Sequence, residues 1–143
     1  MNFFKENKIA VVEAAGAAAQ TALTGDTIDM LGFEECTFLA LRGDVTSGSV
    51  LTLTIHHSSD DSSYAATTCA ATFTAGASDA DSKLLAVSIV KPTKRYLRAV
   101  LTRTTQDAVV GGIISIQSSP HKAPVSQHAT VIASDFEISS ADA

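Results

Sequence analysis

Among 143 residues the chain has no tryptophan, two tyrosines, two cysteines and three prolines. It also has no run of about 18 apolar residues, the length a membrane-spanning helix needs. Each scarcity excludes something. With no indoles and few phenols, a sugar-binding surface built on aromatic stacking has little material. Cys36 and Cys69 have no further cysteine at metal-ligand spacing, which removes thiolate metal sites. They could form one disulfide, but both lie in strand-like apolar contexts, and two buried free thiols are the simpler reading. Acidic residues outnumber basic ones fifteen to ten, for a net charge of -5. The basic footprint of non-specific nucleic-acid binding is therefore missing, and neither nucleic acid nor membrane is expected as a partner.

Catalytic patterns are scarce too. No phosphate-cradling glycine loop occurs, and none of the many serines sits in a nucleophile elbow. Glu34-Glu35 and Asp60-Asp61 are sequence neighbours, which read as solvated turn residues rather than an acid/base pair. His56 and His57, close to Asp60 and Asp61, offer metal-ligand chemistry, but adjacent strand residues point to opposite faces and cannot easily share one ion. Arg42-Gly43-Asp44 matches an integrin-binding tripeptide, yet its place at a strand end leading into a turn accounts for it. No catalytic residue, metal ligand or cofactor is expected.

What the chain does have is β-prone segments separated by turn formers. They are Thr27–Met30, Cys36–Leu41, Val50–His57, Tyr64–Phe73, Leu84–Val90, Tyr96–Thr104 and Val109–Gln117. The separators include Gly25-Asp26, Gly43-Asp44, Ser47-Gly48 and the run from Ser58 to Ser63. Strand after short strand, at spacings of roughly 8–15 residues, predicts an all-β fold. The expectation is one antiparallel β-sandwich or jelly-roll-like barrel of about 7–8 strands. Val50 to Ile55 alternates apolar and polar residues, so Leu51, Leu53 and Ile55 should face inward with Thr52 and Thr54 outward. Leu85, Val87 and Ile89 should also face inward, and Gly111-Gly112 suggests a bulge.

The ends look different. Residues 1–22 read as an N-terminal arm, residues 23–119 as the sandwich and residues 120–143 as a C-terminal arm. Ala14 to Ala22 has helical propensity, weakened by Gly16, but its apolar residues are alanines with little to bury. Lys5 and Lys8 before Ile9 to Val12 mimic a short export signal, against which Glu13 interrupts the apolar stretch. Phe3, Phe4, Val131, Ile132 and Phe136 are apolar residues without a period to bury them, so they are candidate partner contacts. Lys91, Lys94, Arg95, Arg98 and Arg103 form the densest basic stretch. It is either a solvated strand face or a patch for an acidic partner, with Lys94, Arg95 and Arg98 as its candidate contacts.

The order Gly43-Asp44, Val50 to Ile55, Ser58 to Tyr64, Lys94 to Val100 and Val109 to Ile116 resembles the capsid decoration, or cement, proteins of tailed bacteriophages. The resemblance covers roughly residues 23–117. It implies a non-enzymatic virion protein, made in the host cytoplasm, that binds the outside of the phage head and stabilises the shell. The major capsid protein would be its partner and a second copy its other, as a homotrimer by first choice or a dimer. His56-His57 departs from the pair that relatives carry, and the C-terminal arm is longer than usual. A tail, neck or baseplate protein is the alternative, with a carbohydrate-binding or adhesin-like module behind it.

Overall fold

The computed structural model describes residues 2–76 and 83–135. Among these described residues a single helical turn, α1 (Phe3–Glu6), precedes ten strands. They are β1 (Lys8–Glu13), β2 (Gly16–Ala19), β3 (Leu23–Thr24), β4 (Ile28–Asp29), β5 (Phe33–Val45), β6 (Val50–Ser58), β7 (Ala65–Thr74), β8 (Lys83–Val90), β9 (Tyr96–Thr104) and β10 (Ala108–Pro120). All pairs are antiparallel. The first sheet has the order β1-β10-β5-β8, with β2 also on β10; the second runs β3-β9-β6-β7, with β4 also on β9.

This pairing is nested. Strands β1 with β10, β3 and β4 with β9, β5 with β8, and β6 with β7 pair as the rungs of one long hairpin. Rolling that hairpin adds the β10–β5 and β9–β6 ladders, which is the jelly-roll way of making two sheets from one ribbon. The sheets stay a sandwich and do not close into a barrel. The hairpin's tip is the Ser/Asp turn between β6 and β7. There Asp60 accepts hydrogen bonds from the Ser62 and Ser63 amides at 3.0 Å and from the Ser58 hydroxyl at 2.7 Å. Asp61 takes the left-handed conformation (φ 59°) that aspartate tolerates better than most residues.

Strand parity builds the core. Cys36, Phe38, Ala40, Leu85, Val87, Val110 and Ile113 point in from the first sheet, and Leu51, Leu53, Ile55, Leu97, Ala99 and Leu101 from the second. The inward facing of Leu51, Leu53 and Ile55 is as the alternation predicts. So is that of Leu85 and Val87, with Ile89 partly buried against the core. The bulge at Gly111-Gly112 is present: the register of β10 against β5 shifts between Val110 and Gly112, and Gly112 has φ +127°. A Cβ there would meet the Glu13 carbonyl oxygen at 3.1 Å. Cys36 and Cys69 are both free, Cys36 buried and Cys69 half-buried.

The largest departure from the sequence reading is at the ends. Residues 8–19 are not an arm: β1 and β2 extend the first sheet beside β10, and Ala10 and Val12 are core residues. The alanine-rich stretch is extended because its carbonyls satisfy a buried cation. Arg103 donates from Nη1 to Ala17 O (2.7 Å) and Ala108 O (2.9 Å) and from Nε to Thr21 O (2.8 Å). The other end is pinned as well. Val125 N–H donates to Lys5 O, Gln127 donates to the Phe4 and Asn7 carbonyls, and His121 N–H donates to Gly32 O. Phe136 lies outside the described residues.

Candidate docking surface

The outward side chains of the two sheets differ in chemistry. On the first sheet, aligned residues make the rows Val11–Ile114–Leu39–Ala86, Ile9–Ile116–Thr37–Ser88 and Leu41–Leu84. Val11, Leu41 and Ile114 are 40–44% exposed, Leu84 60% and Val90 59%. The neighbouring outward acids, Glu13 and Glu35, stand near strand ends, so the middle of this face carries no charge. On the second sheet the rows are Thr72–Thr52–Thr102, Thr74–Val50–Thr104 and Ala70–Thr54–Val100. Thr52 and Thr72 hydroxyls bond each other at 3.1 Å. One face is apolar, the other hydroxylated.

The basic stretch does not form one patch. Arg95 makes a two-pronged ion pair with Asp29 (2.8 Å twice), which holds the Asp29 carboxyl below the usual carboxylate range. Lys91, Lys94 and Arg95 line one open groove of about 380 Å³ with Leu31, Pro92 and His121, whereas Arg98 and Arg103 lie elsewhere. Arg98, in β9, projects from the outer face of the second sheet, its guanidinium 4.0 Å from the centre of the Tyr64 ring. The Tyr64 hydroxyl donates to the Asp61 carboxylate. Arg103 is buried, 3% exposed, and so corrects the reading that places it on a solvated or docking face.

His56 is half-buried beside Arg98. Burial first, then the Arg98 and His57 charges, press its pKa below the ordinary value. Among the described residues no cluster of three or more histidine, cysteine or carboxylate side chains has metal-site geometry. Nor does any helix among them have the length and apolarity to cross a membrane. Arg42 is 2% exposed, its guanidinium 4.7 Å from the Phe73 ring centre, and β5 runs on to Val45. The tripeptide Arg42-Gly43-Asp44 is thus strand, not a displayed turn.

The terminal candidates fall along the β1 side of the apolar face. Phe3 is 44% exposed and packs edge-on against Phe4, 5.6 Å between ring centres. Gln127 Oε1 accepts from Ile9 N–H (2.8 Å) and Thr130 Oγ1 from Val11 N–H (3.0 Å). The tail is therefore a strap that caps the β1 edge with side chains, as edge strands require. Just beyond it Val131 is half-buried and Ile132 is 95% exposed. The apolar outer face does have a sequence signal beyond simple alternation: Leu39-Ala40-Leu41 and Val109 to Ile114 carry apolar residues on both parities, as a strand does when its second face is also apolar.

No family model matches the sequence, and no curated protein matches it. Solved structures do share its fold. The crystal structure of PBSX exported protein XepA superposes with a TM-score of 0.56 at 20% identity, covering 96% of this chain and 45% of that one. This chain thus spans less than half of XepA's length. SPBc2 prophage-derived protein YomS follows at TM-score 0.49 and 10% identity, covering 83% of this chain and 98% of that one. Eiger TNF from S. frugiperda gives 0.42 and 6%, covering 86% and 99%. XepA and YomS are both phage-derived. At such identities the XepA likeness is one of fold.

Proposed function

We propose that this chain is a non-enzymatic structural component of a phage particle, a decoration protein that docks on the outside of the head through the outer face of its first sheet. The observation that carries this reading is the asymmetry of the sandwich. A four-strand face with an uncharged apolar middle, on a chain of net charge -5, is a surface built to be covered. The fold shared with a phage-derived protein supports the particle context. Exposed apolar residues at its margin, Phe3 and Ile132, would extend the contact.

The major capsid protein is the partner this reading names, with the shell stabilised because bound copies bridge neighbouring subunits. The test is electron microscopy of the protein mixed with expanded phage heads. Regular added density over the shell supports the proposal. Density confined to a tail or a single vertex would favour a tail, neck or baseplate role, and no binding to any particle would overturn both.

A further inference from the structure

At one end of the sandwich β5 starts at Phe33, β8 ends at Val90 and β10 ends at Pro120. Two open grooves of about 380 and 310 Å³ lie there, and they adjoin by sharing Gly32, Phe33 and His121. Their walls come mainly from residues 30–34, residues 91–95 and the start of the tail. These segments are braced against one another. Met30 N–H donates to Arg95 O (2.9 Å), Lys91 N–H to Glu34 O (2.6 Å) and His121 N–H to Gly32 O (2.7 Å). Lys91 itself holds the left-handed conformation (φ 51°), which lysine rarely takes and which persists where the surroundings impose it. A groove held in this way exists before anything enters it, so binding carries little ordering cost.

The charges are one-sided. Lys91 and Lys94 line the first groove, Lys8 and Lys122 the second, and among the described residues none of the four makes a salt bridge. Among the described lining residues Glu34 is the only acid, and it stands 3.7 Å from the His121 ring. Four lysines are thus gathered at one end of a chain whose net charge is -5. The rest of the lining is largely apolar: Phe33, Pro92 and Val125 are half-buried, and Leu31 is 70% exposed.

We propose that this double groove docks an extended acidic segment of another protein, one that combines carboxylates with apolar side chains. Charge complementarity selects the sign. The lining selects the chemistry. A phosphate polymer is best held by free guanidinium forks and stacking rings. Here Arg95 is committed to Asp29 through two bonds of 2.8 Å, and Phe33 is the only aromatic among the described lining residues. The lysines are compact point charges, which suit carboxylates without demanding a fixed geometry. Leu31, Phe33 and Pro92 offer little to a polysaccharide or a small anion but bury aliphatic side chains. Two adjoining grooves also fit a run of several residues. The site lies at the end of the sandwich, off the apolar face assigned to the head, so it stands or falls separately from that reading.

Fluorescence anisotropy on the full chain tests it, with a labelled decapeptide of glutamates interrupted by leucines as the probe and the thermal midpoint as a folding control. The wild type should bind the peptide, and more weakly as salt is added. Lys94→Glu in the first groove and Lys122→Glu in the second should each raise the dissociation constant by about tenfold or more. Lys83→Glu makes the same charge change at the far end of β8 and should stay within about twofold of the wild type. A peptide with serine in place of leucine should bind about tenfold more weakly. If Lys94→Glu lowers the thermal midpoint, Lys94→Ala reads the same contact and should weaken binding in the same direction. A wild type that leaves the peptide free, or a loss in Lys83→Glu as large as that in the groove variants, would overturn the proposal. So would a labelled oligonucleotide of equal charge that binds more tightly than the peptide.

Discussion

The outer faces of the two sheets are built from the same kind of strand, yet they present opposite surfaces to water. Both bury one parity of side chains in a shared core, Leu53 and Leu101 from the second sheet, Phe38 and Val87 from the first. Outward, the second sheet shows Thr52, Thr72, Thr102 and Thr104, residues that favour strands and stay hydrated. The first shows Ile9, Val11, Leu39, Leu41, Leu84 and Ile114. Stability of the isolated sandwich does not ask for the second set. On the function proposed above, the first sheet's outer face serves contact in addition to its part in the fold.

The comparison breaks first if the strand parity is wrong. Leu53 is fully buried, and Leu53→Ala should cost about 2–5 kcal/mol through lost transfer energy plus the cavity left behind. Its neighbour Thr52→Ala, on the hydroxylated face, should stay within about 0.5 kcal/mol. Urea midpoints of the two variants check this directly. A loss below about 1 kcal/mol for Leu53→Ala would mean that inner and outer faces are misassigned.

Much of that parity was legible in the sequence, because alternation in Val50 to Ile55 and in Leu85 to Ile89 reports which side is buried. The seven central strands were readable for the same reason, their turns marked by glycine, serine and aspartate. Strands β1 to β3 were not. Ala14 to Ala22 offers neither alternation nor bulk, and what makes it extended is a guanidinium 82 residues away, Arg103 on Thr21. That same long-range bond removed Arg103 from the basic stretch, where sequence proximity had grouped it. The tail's role is not legible locally for a related reason. Gln127 and Thr130 act as side-chain caps on a strand edge, and no local period announces that role. Glycine and aspartate at Gly43-Asp44 look like a turn, but β5 continues through them beside β10.

The tail sharpens the first sheet's side of the comparison. Gln127→Ala removes one acceptor for Ile9 N–H and the donor to the Phe4 and Asn7 carbonyls, so it should cost about 1–2 kcal/mol. Hydrogen exchange should accelerate at Ile9 and hold steady in β9. An unchanged rate at Ile9 would mean that the strap does not protect the edge.

The smallest effect expected is a pH dependence on the hydroxylated face. His56 has a folded-state pKa below its ordinary value, set first by burial and then by the Arg98 and His57 charges. The unfolded state therefore binds the proton more readily, and stability falls as pH drops through the ordinary histidine range near 6.5. Asp29, depressed by its ion pair with Arg95, adds its own loss only lower, as pH falls through and below the ordinary carboxylate value of 3.8. His56→Gln should flatten the thermal midpoint between about pH 7 and 5. An equally steep decline in the variant would assign the effect to another group.

The account's central claim is that contact belongs to the first sheet's outer face, and a paired binding measurement tests it most directly. Co-sedimentation with expanded phage heads would compare the wild type with Ile114→Lys on the apolar face and Thr52→Lys on the hydroxylated one. Loss of a buried apolar anchor at the centre of a docking face typically weakens binding by about tenfold or more. The account predicts that loss for Ile114→Lys and wild-type binding for Thr52→Lys. Wild-type binding by Ile114→Lys together with a loss for Thr52→Lys would contradict it.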